Sequence, residues 1–190
     1  MNHRTTNLMT IFMAAVVLVG ALLLALGATQ AMAQGIPILY CSEQDPETAR
    51  CDGTDATESL VGQDTRDVIR AFAGDDIINA ERGRDEAFGG PGEDNINGQQ
   101  GDDELSGGRG PDTVSDGVME NGQLSTGDTD VLLGNSGNDI GLNARDDDFL
   151  DTIDCGPGAR DAAFFDVNRR TGQSDTVADN CEFRNEIPGS

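Results

Sequence analysis

"GGPGEDNINGQQGDDELSGGRGPDTVS", residues 89–115, is one nine-residue phrase written three times: GGPGEDNIN, GQQGDDELS and GGRGPDTVS. In each copy a glycine stands two residues before an aspartate, and an apolar residue stands two after it. An acidic linker would share this composition without holding the phase. Working outward, aspartates recur every nine residues at 67, 76, 85, 94, 103 and 112, with Glu58 one step earlier. The next step falls on Asn121, and the series resumes at Asp130, Asp139 and Asp148. Two positions after these residues come Leu60, Ile69, Ile78, Ala87, Ile96, Leu105 and Val114, then Gln123, Leu132, Gly141 and Leu150. Glycine holds the position two before the aspartate at 74, 83, 92, 101, 110 and 137.

Nine residues divide into a six-residue glycine-rich turn and a three-residue strand whose middle side chain points inward. So short a strand has no stability alone. Stacked in a solenoid, two turns and two strands make an eighteen-residue coil, and each strand pairs with the strand one coil away. That register predicts an all-β parallel β-roll with two aspartate columns. One column holds Asp76, Asp94, Asp112, Asp130 and Asp148; the other holds Asp67, Asp85, Asp103 and Asp139. Stacked coils lie about 4.8 Å apart, so carboxylates in a column repel one another. The thin aliphatic core and the ordering of many glycines leave little to offset that repulsion. A hard divalent cation between turns reverses its sign, and calcium suits carboxylate and carbonyl ligands.

The full phrase G-G-x-G-x-D-x-U-x, where U is apolar, is met by GGPGEDNIN and GGRGPDTVS and resembles the calcium-binding nonapeptide of the repeats-in-toxin (RTX, hemolysin-type) family. The resemblance covers about residues 53–151 and is strongest over 74–115. It implies a β-roll holding several Ca2+ ions in its turns, with metal carboxylates at Asp76, Asp85, Asp94, Asp103 and Asp112, and also at Asp67 and Asp139. Ala56 and Thr65 replace the inner glycine of the first turns, as do Asp128 and Asp146 near the end. "DGVMENGQL", 116–124, keeps the length but not the phrase, and reads as a degenerate turn bulging from the roll. Asp116, at a glycine position, is expected to take no part in the sites.

Residues 1–33 read as an export signal, with Arg4, an apolar run and Ala31-Met32-Ala33 before Gln34. The run 8–26 is also long enough to serve as an uncleaved membrane anchor. Export implies an oxidising compartment, and clustering of the four cysteines near the ends favours Cys41–Cys51 and Cys155–Cys181. Each bridge then closes a cap, over 34–52 at one end of the roll and 152–190 at the other. In the second cap Ala163–Val167 and Asp175–Ala178 are predicted strands, and Arg169-Arg170 a solvated turn.

Thirty-five acidic against twelve basic residues give a formal charge of −23, which argues against a nucleic-acid partner. The one histidine, His3, lies in the leader, so no catalytic motif that needs imidazole is available afterwards. The chain therefore reads as a secreted, structural or adhesive calcium-binding protein, not an enzyme, with cell-surface or matrix association as its natural setting. The alternatives are a small carboxylate-dependent hydrolase or lyase on the solenoid surface, or an envelope-attached polyanion that stores calcium.

Overall fold

A computed structural model describes residues 35–45, 48–117, 128–144, 149–167 and 171–187. The leader 1–33, Asn121, Gln123 and the rest of 118–127, Asp146, Asp148 and the Arg169-Arg170 pair lie outside the described residues. In chain order the strands are β1 (Ile38–Tyr40), β2 (Ser42–Asp45), β3 (Thr48–Asp52), β4 (Ser59–Val61), β5 (Asp67–Arg70), β6 (Ile77–Asn79), β7 (Glu86–Pro91) and β8 (Asn95–Asn97). They continue as β9 (Glu104–Arg109), β10 (Thr113–Ser115), β11 (Val131–Ser136), β12 (Gly141–Ala144), β13 (Thr152–Asp154), β14 (Ala162–Asp166), β15 (Thr176–Val177) and β16 (Phe183–Ile187).

From β3 onward strands alternate between two sheets. One runs β1-β4-β6-β8-β10-β12-β14-β16 and the other β15-β13-β11-β9-β7-β5-β3-β2. Every pairing is parallel except the β2–β3 hairpin. The protein is thus an all-β parallel β-solenoid, as the nine-residue period predicts. Its interior follows from the period of two: Leu60, Ile78, Ile96, Val114 and Leu142 line one sheet, and Ile69, Leu105, Leu132 and Ile153 line the other, all fully buried. β7, β9 and β11 exceed three residues because the stacked turns carry the ladder around the corner, pairing Gly90 with Gly108.

The sheets run on past residue 151 through β13–β16. Both expected disulfides, Cys41–Cys51 and Cys155–Cys181, are formed. Among the described residues no helix is long and apolar enough to cross a membrane.

Beyond β10 two apolar assignments are corrected. Gly141 does not face inward; Leu142 pairs with Val114 and takes the interior position. Leu150 is partly exposed, and Ile153 replaces it opposite Leu132. A one-residue slip in a strand turns every following side chain to the other face, and here the chain slips to keep an aliphatic residue inside. Ile96→Ala should cost about 2–5 kcal/mol, because the close-stacked coils cannot collapse around the void. Ile77→Ala, at a partly exposed position in the same sheet, should cost under about 1 kcal/mol. Urea denaturation of the two variants, in one buffer, measures the difference.

Candidate metal centre

Each turn delivers an acidic residue just before the next inward-facing strand, and its side chain bonds the backbone of the previous coil. In one ladder the amide of Asp67 donates to Oδ1 of Asp85 at 2.7 Å, Asp85 to Asp103 at 2.8 Å, Asp103 to Asp130 at 2.6 Å, Asp130 to Asp151 at 2.8 Å and Asp151 to Asp175 at 3.1 Å. In the other, the amide of Glu58 donates to Asp76 at 2.8 Å, Asp76 to Asp94 at 2.9 Å, Asp94 to Asp112 at 3.0 Å, Asp112 to Asp139 at 2.9 Å and Asp139 to Asp161 at 2.8 Å. The amide of Asp161 then donates to Oε2 of Glu182 at 2.9 Å. All these aspartates are at most 7 % exposed, so the ladders belong to the interior.

The structure corrects the expected columns. Asp130 follows Asp103, not Asp112, and Asp139 follows Asp112, not Asp103, each across 27 residues instead of 18. Between β10 and β11 the chain is one nonapeptide longer than the period requires, so later aspartates exchange columns. Asp116 is 3 % exposed and stays in the stack, its carbonyl accepting from the Gln99 amide at 2.7 Å and its amide donating to the Asn143 carbonyl at 3.2 Å.

The second oxygen of each ladder carboxylate has a different fate. Among the described residues, Oδ2 of Asp76, Asp85, Asp94, Asp103, Asp112 and Asp139 is buried with no hydrogen-bond partner. In Asp67 the roles swap: Oδ2 accepts from the Gln63 amide at 2.7 Å, and Oδ1 is left over. Buried polar atoms without partners are rare and point to an absent ligand. At Asp94, Asp103, Asp112 and Asp139 the first glycine of the phrase keeps the space beside the oxygen open, whereas Ala71 and Ala80 hold that position ahead of Asp76 and Asp85. A Cβ on Gly89 would lie 2.4 Å from Asp94 Oδ2 and 2.6 Å from the Gly107 carbonyl, and one on Gly134 would lie 2.6 Å from both Asp139 Oδ2 and the Cys155 carbonyl. A carboxylate oxygen and a carbonyl from the next coil thus face one small volume, a donor set that suits calcium. Among the described residues, no three acidic side chains already form a metal-ligating group, so backbone carbonyls must supply part of any such site.

The inner glycine answers to a different constraint. Gly92, at φ 155°, would place a Cβ 1.7 Å from the Gly74 carbonyl one coil back. Ala56 and Thr65 escape this clash because they stand in the first repeat of their columns. From Phe72 onward the second position of the phrase is left-handed whether or not glycine fills it: Gly90 and Gly108 share it with Phe72, Glu81, Gln99 and Asn135, these last four at φ between 70° and 78°. Each non-glycine residue there costs about 1 kcal/mol, which the stacked turns impose.

Burial pushes the ladder carboxyls up from their ordinary 3.8, and neighbouring carboxylates add to the shift while the donated amide opposes it. Asp103 is raised to about 8, Asp85 and Asp112 to about 7, and Asp94 and Asp139 to about 6. Asp67 and Asp76 are raised as well, mainly by burial.

A parallel β-solenoid with buried aspartate ladders in glycine turns defines a class of nonapeptide-repeat protein. Residues 52–87 and 83–114 match the family model described as the RTX calcium-binding nonapeptide repeat (4 copies), and the stretch 52–114 is made of these repeats. No curated protein and no solved structure matches the chain.

The nine-residue register brings all seven expected aspartates into the ladders, but it misses Asp151, Asp161 and Asp175. A local signal marks them: DTI at 151–153, DAA at 161–163 and DTV at 175–177 each repeat aspartate, any residue, apolar residue, at looser spacing.

Without divalent cations the folded chain holds protons that the unfolded chain releases near 3.8. Stability is therefore greatest while the carboxyls are protonated and falls as pH rises from about 4 to about 8. Thermal melts in chelator should give a lower Tm at about pH 8 than at about pH 5.5. An unchanged or higher Tm at the alkaline end would show that the ladder carboxyls ionise normally.

Proposed function

We propose that the chain is an exported calcium-binding solenoid with a structural or adhesive role at a cell surface or in a matrix. One observation carries the reading: at Asp94, Asp103 and Asp139 a buried carboxylate oxygen without a partner faces a glycine-vacated space and a carbonyl of the next coil. The residues assigned to Ca2+ are Asp67, Asp76, Asp85, Asp94, Asp103, Asp112 and Asp139. In all but Asp67, one oxygen fixes the previous coil through its amide and the other is left for the ion; in Asp67 the first oxygen accepts from Gln63 in its own turn. Bound calcium supplies the positive charge that the stacked carboxylates lack. Phase-keeping glycines hold the turns close enough for carbonyls of adjacent coils to serve as further ligands.

The two disulfides support export, since such bridges persist in oxidising compartments. A net charge of −23 fits a cation-loaded, solvent-facing protein.

A second reading has one observation behind it. A cleft of about 290 Å³ is lined by Arg66, Arg84, Glu86, Asp102 and Glu104, a mixed set from which a carboxylate-dependent hydrolase could be built. Arg66 is already paired with Glu86, and the cleft's buried aspartates, Asp85 and Asp103, are committed to the ladder. The calcium reading therefore accounts for more of its residues.

Circular dichroism during a calcium titration tests the proposal. The chelated chain should gain β structure cooperatively, with a midpoint of about 0.1–1 mM. Asp94→Asn should raise that midpoint severalfold, whereas Asp55→Asn, an equal change in charge at an exposed position, should leave it unchanged. Equal shifts would mean that bulk charge governs binding, and identical spectra with and without calcium would remove the metal reading altogether.

A further inference from the structure

The nonapeptide phrase opens with glycine at 53, 62, 89, 98, 107 and 134, but with alanine at 71 and 80. Ala71 follows β5 and Ala80 follows β6, and both are fully buried. Their backbones keep the glycine register. The Ala71 amide donates to the Phe88 carbonyl and the Ala80 amide to the Asn97 carbonyl, each at 2.9 Å, as the Gly53 amide does to Arg70 and the Gly62 amide to Asn79, each at 2.8 Å. The stack is undisturbed, and what these two turns gain over the others is a methyl group.

The glycine turns show what that methyl displaces. A Cβ on Gly89 would stand 2.4 Å from Asp94 Oδ2 and 2.6 Å from the Gly107 carbonyl, and one on Gly134 would stand 2.6 Å from both Asp139 Oδ2 and the Cys155 carbonyl. Calcium binds oxygen at about 2.3–2.6 Å. The Cβ point of this position therefore lies at coordination distance from two oxygens on adjacent coils, and a carbon and an ion cannot share it. In the turns of Asp76 and Asp85 the carbon is already there. These coils also carry cations of their own: Arg70 pairs with Asp52 at 3.6 Å, Arg82 with Asp64 at 3.3 Å, and Arg66 with Glu86. Such exposed pairs contribute little each, but they place positive charge on the coils where the ion's place is taken.

We propose that Ala71 and Ala80 set the order in which the roll takes up calcium: the glycine turns of Asp94, Asp103, Asp112 and Asp139 fill first, and the alanine turns of Asp76 and Asp85 fill last and weakly. The proposal rests on the calcium reading of the repeats and names the residues that grade its sites. Affinity in an oxygen-ligand site follows the number of oxygens that reach the ion, and the methyl bars the one point shared by the spare carboxylate oxygen and the next coil's carbonyl. Loading then starts in the middle of the roll and reaches the coils beside the Cys41–Cys51 bridge last.

Isothermal titration calorimetry of the whole chain with calcium chloride, disulfides intact, counts the ions in each class. The unsubstituted chain should show a tight class followed by one about tenfold weaker or more. Ala71→Gly and Ala80→Gly should each move about one ion from the weak class to the tight one, and the double variant about two. Ala87→Gly removes a buried methyl inside β7, away from the ion points, and should leave the tight count unchanged. In the opposite sense, Gly89→Ala should remove about one ion from the tight class, and Gly134→Ala provides that reading if Gly89→Ala does not fold in saturating calcium. A tight count unmoved in the double variant, raised equally by Ala87→Gly, or preserved in both glycine-to-alanine variants overturns the role of Ala71 and Ala80 and leaves the calcium reading intact. No calcium uptake by either the unsubstituted chain or the double variant overturns both.

Discussion

The structure depends on one contact: a carboxylate oxygen of a turn aspartate accepts the backbone amide of the aspartate, or of Glu58, one coil back. Asp94, for example, donates to Asp112 and accepts from Asp76. Each contact fixes the stacking register of a turn while satisfying an amide that the strand ladder does not reach. It also sets the inward direction of the strand, since the residue two positions on must then face the interior. Ile78, Ile96 and Val114 stack for that reason as much as for their own hydrophobicity.

The same contact creates the electrostatic constraint. An acceptor made from a carboxylate brings a charge into the interior, and the repeat places the next charge one coil away. Desolvation and mutual repulsion both favour the neutral form, as the raised pKa values of Asp85, Asp103 and Asp112 record. Folding and cation binding are then two descriptions of one balance. An interior with one aliphatic side chain for each strand has little hydrophobic free energy to set against so many buried charges.

Glycine serves this arrangement at distinct positions for distinct reasons. At Gly89 a side chain would occupy the space beside the spare carboxylate oxygen; at Gly92 it would strike the preceding turn. The left-handed position between them tolerates Phe72, Glu81, Gln99 and Asn135, so it is imposed by the stack and not selected by local preference. Strain is thus spread thinly along the roll at positions that face away from the ladder.

What the sequence determined by itself was the repeating unit. The phase of aspartate, glycine and apolar residue defines the parallel β-solenoid, the inward aliphatic column, and the seven aspartates from Asp67 to Asp139, because the period of two in a strand and the steric freedom of glycine are local properties. The cysteine clusters likewise indicated the pairings found at each end. Tertiary structure alone decided which coil lies on which after residue 117. The chain between β10 and β11 is one nonapeptide longer than the period, which moves Asp130 and Asp139 into each other's columns; the missing glycine and aspartate mark 116–124 as degenerate but do not say which coil the next strand joins. It also decided that Asp116 stays in the stack, that Leu142 and not Gly141 faces inward, and that Asp151, Asp161 and Asp175 extend the ladders at irregular spacing. In those coils the turn length is free to vary, because the interior residue and the amide acceptor are held by the coil beneath them and not by distance along the chain.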